Sequence, residues 1–169
     1  MKNKTYLFQP DKKFLKQGYF MQDEEGNIVY EAKVLKQPLF GAITFEFVNH
    51  LSNIKEEHKV GHTITSEQTG GIDVLSTKSH FKYDGKNIWD YLHEQGIRID
   101  SKLSKGSIGM SYNITLKGEE IANITMASPN GSKIITSSHV YNVQVSEENI
   151  ELAFLTTFAI ARTDQTFYN

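Results

Sequence analysis

Alternation of apolar and polar residues is the commonest pattern along this chain of 169 residues. Between Ser107 and Lys117, apolar side chains occupy every second position and polar side chains fill the positions between them. A period of two is typical of a strand with one buried and one solvated face. The same pattern occurs in Ile28–Val34 and in Ala42–Val48. We therefore expect antiparallel strands that each keep one face in water.

Short turn segments at 24–27, 117–120 and 128–131 separate the predicted strands. Their glycine, asparagine and proline residues favour tight hairpins, so strands that are neighbours in the sequence should pair. The other strand candidates are Thr5–Gln9, Gly18–Gln22, Val60–Glu67, Ile72–Ser76, Ser79–Tyr83, Ile121–Met126, Lys133–Ser137 and Val140–Val145. About ten to twelve short strands favour a barrel or a sandwich.

The segment Ile150–Ala161 breaks the pattern, because nine of its twelve residues are apolar. A helix that is apolar on nearly every side must be surrounded by protein, and crossing a bilayer takes about 20 such residues. We weigh a core helix, a buried strand and a membrane-inserting element. The core helix is favoured, because apolar residues fall on both faces of any strand here and the basic face of an interfacial helix is missing.

This terminal helix is predicted to start near Ser146 and to approach Arg162 at its end. A second, short surface helix is predicted over Asn87–Gln95, followed by Gly96 in the position of a C-terminal cap. No repeat or linker divides the chain. We therefore expect one all-β domain over residues 1–169, in which a barrel surrounds a central hydrophobic helix.

Three stretches carry a resemblance to a known family: Tyr6–Gln9, the hairpin from Gly18 to Tyr30, and the helix Ile150–Ala161. An alternating β chain that ends in an apolar helix resembles the tubby-like fold, which the tubby C-terminal domain, the phospholipid scramblases and the LURP-one-related proteins share. These stretches are similar to the small bacterial members of the LURP-one-related group. The resemblance implies a closed antiparallel β-barrel of about 12 strands around the C-terminal helix.

Little function follows from this resemblance. Tubby domains bind phosphoinositide headgroups through basic side chains, but no position of this chain matches that site. Scramblases depend on a membrane segment, calcium-binding acids and lipidated cysteines, and this chain has no cysteine. Scrambling activity is therefore not expected.

Composition excludes several classes of protein. The 18 basic and 20 acidic residues give a formal charge of −2, so the cationic field of a nucleic-acid-binding protein is missing. The lack of cysteine rules out disulfides, thiolate catalysis and cysteine-ligated zinc. No apolar run follows the basic N-terminus, so we expect no secretory signal and a cytoplasmic location in a bacterium.

No motif predicts an enzyme. His58 and His62 have the spacing of a helical zinc pair, but the residues around them favour a strand, and the histidines are expected at the surface. The acidic pairs are expected in a loop, a turn and a helix start, at Glu56–Glu57, Glu119–Glu120 and Glu147–Glu148. We expect no catalytic residue, no cofactor and no bound metal. The alternative is a hydrolase whose active site forms from residues distant in sequence.

One basic segment carries a functional prediction. Lys12, Lys13 and Lys16 lie beside Phe14, and lysines with an aromatic residue suit an anionic membrane surface. The other interpretation is that these lysines protect the edge of a first hairpin. We expect a non-enzymatic binding or scaffold domain, peripheral to the membrane, that contacts anionic lipid headgroups or a protein partner through its exterior. A small-ligand cavity is less compatible with a barrel that a helix fills.

Overall fold

A computed structural model describes residues 3–11, 18–38, 42–63, 67–69, 72–74, 80–83, 85–103, 110–127 and 140–166 of the chain. These residues form thirteen strands, two α-helices and one 3₁₀ turn. The strands are β1 (Lys4–Asp11), β2 (Gly18–Gln22), β3 (Ile28–Lys36), β4 (Ile43–Asn49), β5 (Ile54–Thr63), β6 (Glu67–Thr69), β7 (Ile72–Val74), β8 (His80–Tyr83), β9 (Lys86–Asn87), β10 (Ile97–Leu103), β11 (Met110–Leu116), β12 (Glu119–Ala127) and β13 (Val140–Val145). The helices are α1 (Ile88–Glu94) and α2 (Ile150–Thr166), and the 3₁₀ turn Glu147–Asn149 precedes α2.

Eleven of these strands form one antiparallel sheet in the order β10-β11-β12-β13-β1-β2-β3-β4-β5-β8-β9, and β6 pairs with β7 separately. The first and last strands of the sheet are thus β10 and β9, which lie on either side of α1 in the sequence. Neighbours in sequence pair throughout, except where β13 joins β1 and β5 joins β8. The expectation of a mostly β structure with two helices is confirmed.

The prediction of a closed barrel of about 12 strands is wrong for the described residues. Their hydrogen-bonded pairing runs from β10 to β9 without joining those two strands to each other. The connection between them explains this: α1 contacts β8, β9 and β10. A helix uses its backbone N–H and C=O groups internally, so it has no ladder of hydrogen bonds to offer a neighbouring strand edge.

Helix α2 lies against the inner face of the curved sheet, as predicted for a core helix. Its side chains from Thr156 to Ala161 are all buried. Phe154 packs against rings of β1, β3 and β4, and Phe158 packs against rings of β2 and β4. The two buried threonines are satisfied locally, because Thr156 Oγ1 donates to the carbonyl of Leu152 and Thr157 Oγ1 to that of Ala153.

Helix α1 matches its predicted position within one residue at each end. Asn87 caps it, because the side-chain oxygen of Asn87 accepts a hydrogen bond of 2.9 Å from the backbone N–H of Trp89. Gly96 ends it with a φ of 87°, a left-handed conformation that suits glycine. Ile88 and Leu92 are buried, so one side of this predicted surface helix belongs to the core.

Three further predictions need correction. Residues Ile97–Leu103 form β10, a strand that the sequence analysis did not predict. Strand β5 begins at Ile54, so Glu56 and Glu57 lie on an exposed strand and not in a loop. Ser146 makes no side-chain cap; a 3₁₀ turn follows it instead, in which the Asn149 N–H donates to the Ser146 carbonyl.

The predicted strand at Lys133–Ser137 lies outside the described residues. None of the helices formed by the described residues is both long enough and apolar enough to pass through a bilayer.

Candidate binding surfaces

The predicted contact residues Lys12, Lys13, Phe14 and Lys16 lie outside the described residues, but the structure describes the strand ends that flank them. Asp11 ends β1, Gly18 begins β2, and the two are cross-strand partners. Residues 12–17 therefore connect two strands at one end of the sheet. Because all neighbouring strands of this sheet are antiparallel, the other connections can be assigned to the same end or to the opposite end.

At the same end as Asp11 and Gly18 lie three other cross-strand pairs, which flank long connections. These pairs are Thr63 with His80, Leu103 with Met110, and Ala127 with Val140. The connections that leave this end are residues 12–17, 37–42, 64–79, 104–109 and 128–139. In the sequence these connections contain six lysines and two acidic residues, and we use the name basic end for the strand ends that they join. The lysines are Lys12, Lys13, Lys16, Lys78, Lys105 and Lys133, and the acids are Glu67 and Asp73.

The opposite end has the reverse charge. Its connections are residues 23–27, 50–53, 84–85, 117–118 and 146–149, which contain six acidic residues and one lysine in the sequence. The acids are Asp23, Glu24, Glu25, Asp84, Glu147 and Glu148, and the lysine is Lys117. We call this the acidic end. The connections that join strands at the two ends thus differ in the sign of their charge by sequence, although the formal charge of the whole chain is only −2.

Local contacts fix the turns of the acidic end. The Asp23 carboxylate accepts hydrogen bonds from the side chain of Asn27 and from the backbone N–H groups of Asn27 and Glu25, and these bonds lower the pKa of Asp23. Lys4 pairs with Glu147, which raises the pKa of Lys4. Both groups remain charged near neutral pH, so Asp23 contributes negative charge at this end while Lys4 offsets that of Glu147.

A surface groove of about 510 Å³ lies between α1 and β10. Its lining residues are Trp89, Leu92, His93, Ile97, Arg98, Ile99 and Asp100. A neighbouring groove of about 410 Å³ extends it toward the turn between β11 and β12. That turn is fixed against the end of α1, because the Lys117 N–H donates a hydrogen bond of 2.9 Å to the Gly96 carbonyl.

The sequence pattern did not predict this groove, since the groove depends on β10. A signal was present: Ile97, Ile99 and Leu103 alternate with the charged residues Arg98, Asp100 and Lys102. Ser101 interrupts this alternation, because it occupies the position where a third consecutive apolar residue would have made the period of two clear.

The histidine pair lies on a strand and not on a helix. The backbones of His58 and His62 lie four residues apart on β5, which is about 13 Å along a strand and wider than the spacing of a helical zinc pair. His58 is also not a surface histidine. Its side chain is 12% exposed, its ring stacks on Tyr83 with centroids 4.4 Å apart, and the Tyr83 hydroxyl lies 3.0 Å from His58 Nε2. The described part of the chain holds no group of three potential metal ligands.

The interior around α2 is filled by aromatic rings. Tyr30 is 5% exposed, and its hydroxyl accepts a hydrogen bond of 2.7 Å from Asn49 Nδ2. Burial raises the pKa of Tyr30 far above its usual range, and the neighbouring Glu151 carboxylate raises it further. Tyr30 is therefore a neutral, hydrogen-bonded part of the core.

Comparison with protein-family models, with curated proteins and with solved structures found no match for this chain. The interpretation of its surfaces therefore depends on the geometry above.

Proposed function

We propose that this chain is a non-enzymatic binding domain that docks on an anionic lipid surface through the basic end of its sheet. The separation of charge between the two ends carries the proposal. Six lysines in connections of the basic end would face the lipid headgroups, while the acidic end would point away. Lys12, Lys13 and Lys16, beside Phe14, supply half of these lysines in one connection.

The binding free energy expected per lysine favours contact through several connections of the basic end over contact through residues 12–17 alone. A basic residue near an anionic surface contributes about 1 kcal/mol, so three lysines alone give weak attachment. Lys78, Lys105 and Lys133 belong to other connections of the same end, and together with the first three they would give several kcal/mol at low salt. Orientation follows from the charge, because the acidic end is repelled by the same surface.

Apolar residues of the same connections add a second contribution. Phe14, Leu39 and Phe40 lie within residues 12–17 and 37–42. Aromatic and aliphatic side chains next to lysines can enter the headgroup region once the charges have brought the domain to the surface. Binding should therefore begin as an electrostatic encounter and be strengthened by apolar contact.

The packing of α2 supports an exterior site. Phe154 and Phe158 are 2% and 0% exposed among rings of the sheet, so the space that a lipocalin-like protein would keep for a ligand is occupied by the helix. A helix enclosed by antiparallel strands also supports the resemblance to the tubby-like fold, which remains a proposal. The proposed location is the cytoplasmic face of a bacterial membrane. No observation on the part of the chain that the structure describes favours the alternative, a hydrolase.

Vesicle sedimentation tests the proposal. Wild-type protein should sediment at low salt with vesicles rich in phosphatidylglycerol and not with phosphatidylcholine vesicles, and binding should fall as rising ionic strength shortens the Debye length. Lys12→Glu, Lys13→Glu and Lys16→Glu together should abolish sedimentation without changing the melting temperature. The matched control reverses Lys4, Lys55 and Lys117, which are exposed toward the acidic end and change the net charge equally.

The control separates position from net charge. The control triple variant should keep most of the binding, because its charges lie far from the proposed contact. If both triple variants lose binding equally, the basic end has no special role. If the wild-type protein stays in the supernatant with phosphatidylglycerol vesicles at low salt, the lipid proposal is wrong.

A further inference from the structure

Strand β10 has one free edge. Seven residue pairs join Ile97–Leu103 to β11 on one side, and no strand within the described ranges pairs with the other side. The opposite end strand of the sheet, β9, has only two residues. None of the described strands uses the backbone N–H and C=O groups along this side of β10, and an added strand could pair with them.

A groove runs beside this free edge. Helix α1 forms its far wall through Trp89, Leu92 and His93, and β10 forms its near wall. Trp89 and Ile99 are both half-buried, so they present apolar surface to the groove without being closed off by the core. A free strand edge flanked by a helix is the arrangement in which extended peptides bind by β-augmentation.

We infer that the groove between α1 and β10 binds an extended, acidic peptide segment of a protein partner, which adds to the sheet as a strand next to β10. Backbone hydrogen bonds to the free edge hold the segment. Alternate apolar side chains of the segment pack on Trp89 and Ile99, and the side chains between them point outward.

The charges beside the groove favour acidic residues at those positions of the bound segment whose side chains point outward. Arg98, Asp100 and Lys102 alternate along β10 and are exposed, so two cations and one carboxylate share its outer face. His93 lines the groove as well. A glutamate or aspartate opposite Arg98 or Lys102 forms a favourable cross-strand pair, whereas a lysine there is repelled.

A second copy of this chain is a poorer occupant. Its own β10 would carry its own α1 beside the edge, and two helices would then have to share the space of one groove of about 510 Å³. A single extended segment brings no helix with it. The partner is therefore expected to supply a strand from a flexible region or a terminus.

A labelled, capped peptide of alternating valine and glutamate serves as the probe, with fluorescence anisotropy as the readout. The wild-type chain should bind it, and hydrogen exchange of the β10 amides should slow in the complex. Arg98→Glu should weaken binding about tenfold or more. Lys55→Glu, an equal charge change on the exposed start of β5, is the matched control and should leave the affinity unchanged.

Two N-methylated versions of the probe separate backbone pairing from simple charge attraction. One version is methylated at the valines and the other at the glutamates, so each removes the N–H donors from one edge of the peptide. In β-augmentation only one edge faces β10, hence one version should lose binding and the other should keep it.

Three results overturn the inference. The first is that the wild-type chain does not bind the valine–glutamate peptide, and the second is that both methylated versions bind as well as the parent peptide. The third is a dimer, detected by light scattering, that Ser101→Pro dissociates without changing the melting temperature. This third result would assign the free edge of β10 to a second copy. Because the lysines of the basic end take no part in this test, its outcome is independent of the vesicle experiment.

Discussion

The ring of Phe154 on α2 stacks on the ring of Tyr30 on β3, with centroids 5.2 Å apart and an angle of 28° between the planes. The same Phe154 ring lies 5.7 Å from Phe8 of β1 and 6.0 Å from Phe47 of β4. One side chain of the helix thus contacts three strands of the sheet. This packing of Phe154 among aromatic rings is the basis of the first prediction.

Phe154→Asp should prevent folding. An unpaired carboxylate among these rings costs several kcal/mol, which is comparable to the whole free energy of unfolding of a domain. Ile54→Asp is the control, because Ile54 is 53% exposed and a carboxylate there stays in water. Circular dichroism melts measure both. A melt of the Phe154 variant close to wild type would mean that α2 is not enclosed.

Gly96→Ala should destabilise the chain more than Gly85→Ala. Both glycines have positive φ values, 87° and 82°, so both variants lose about 1 kcal/mol or more from backbone strain. A Cβ at Gly96 would also lie 3.0 Å from Lys117 Cγ, whereas nothing lies within 4 Å of a Cβ at Gly85. Urea denaturation should resolve the difference. Equal losses would mean that Lys117 moves aside freely.

Stability should fall as the pH rises above about 10, the usual pKa of tyrosine. The folded state keeps the Tyr30 proton, since burial raises this pKa, while the unfolded state releases it, so alkaline pH favours unfolding. Tyr30→Phe should reduce this slope, at the cost of the Asn49 hydrogen bond at neutral pH. Urea denaturation from about pH 8 to about pH 11 tests it. An unchanged slope would contradict the assignment.

Purified protein should contain no stoichiometric zinc or calcium, and EDTA should leave its melting temperature unchanged. The strand geometry of β5 holds the backbones of His58 and His62 about 13 Å apart, and the His58 ring is stacked on Tyr83. Elemental analysis together with a melt in EDTA measures this. One metal ion per chain that His58→Ala releases would require a different arrangement of β5.

Many elements around the candidate binding surfaces could be predicted from residues that are close together in the sequence. The alternating segments fixed most strand positions, with Gly18–Gln22 and Val140–Val145 predicted at their observed bounds. Asn87 and Gly96 fixed α1, because caps depend on a few adjacent residues. The lysines of residues 12–17 are likewise a property of the sequence. The sequence alone did not predict which other connections leave the sheet at the same end as residues 12–17, since that depends on the direction of each strand.

The sequence by itself determined that strands enclose an apolar C-terminal helix, because period and composition decide burial locally. Only the tertiary structure decided that the sheet formed by the described strands ends at β9 and β10, since pairing between strands distant in sequence depends on how α1 sits between them. It also decided that His58 packs beside Tyr83, 25 positions along the chain. Contacts between residues so far apart in the sequence depend on the register in which strands pair, and a local sequence pattern does not specify that register.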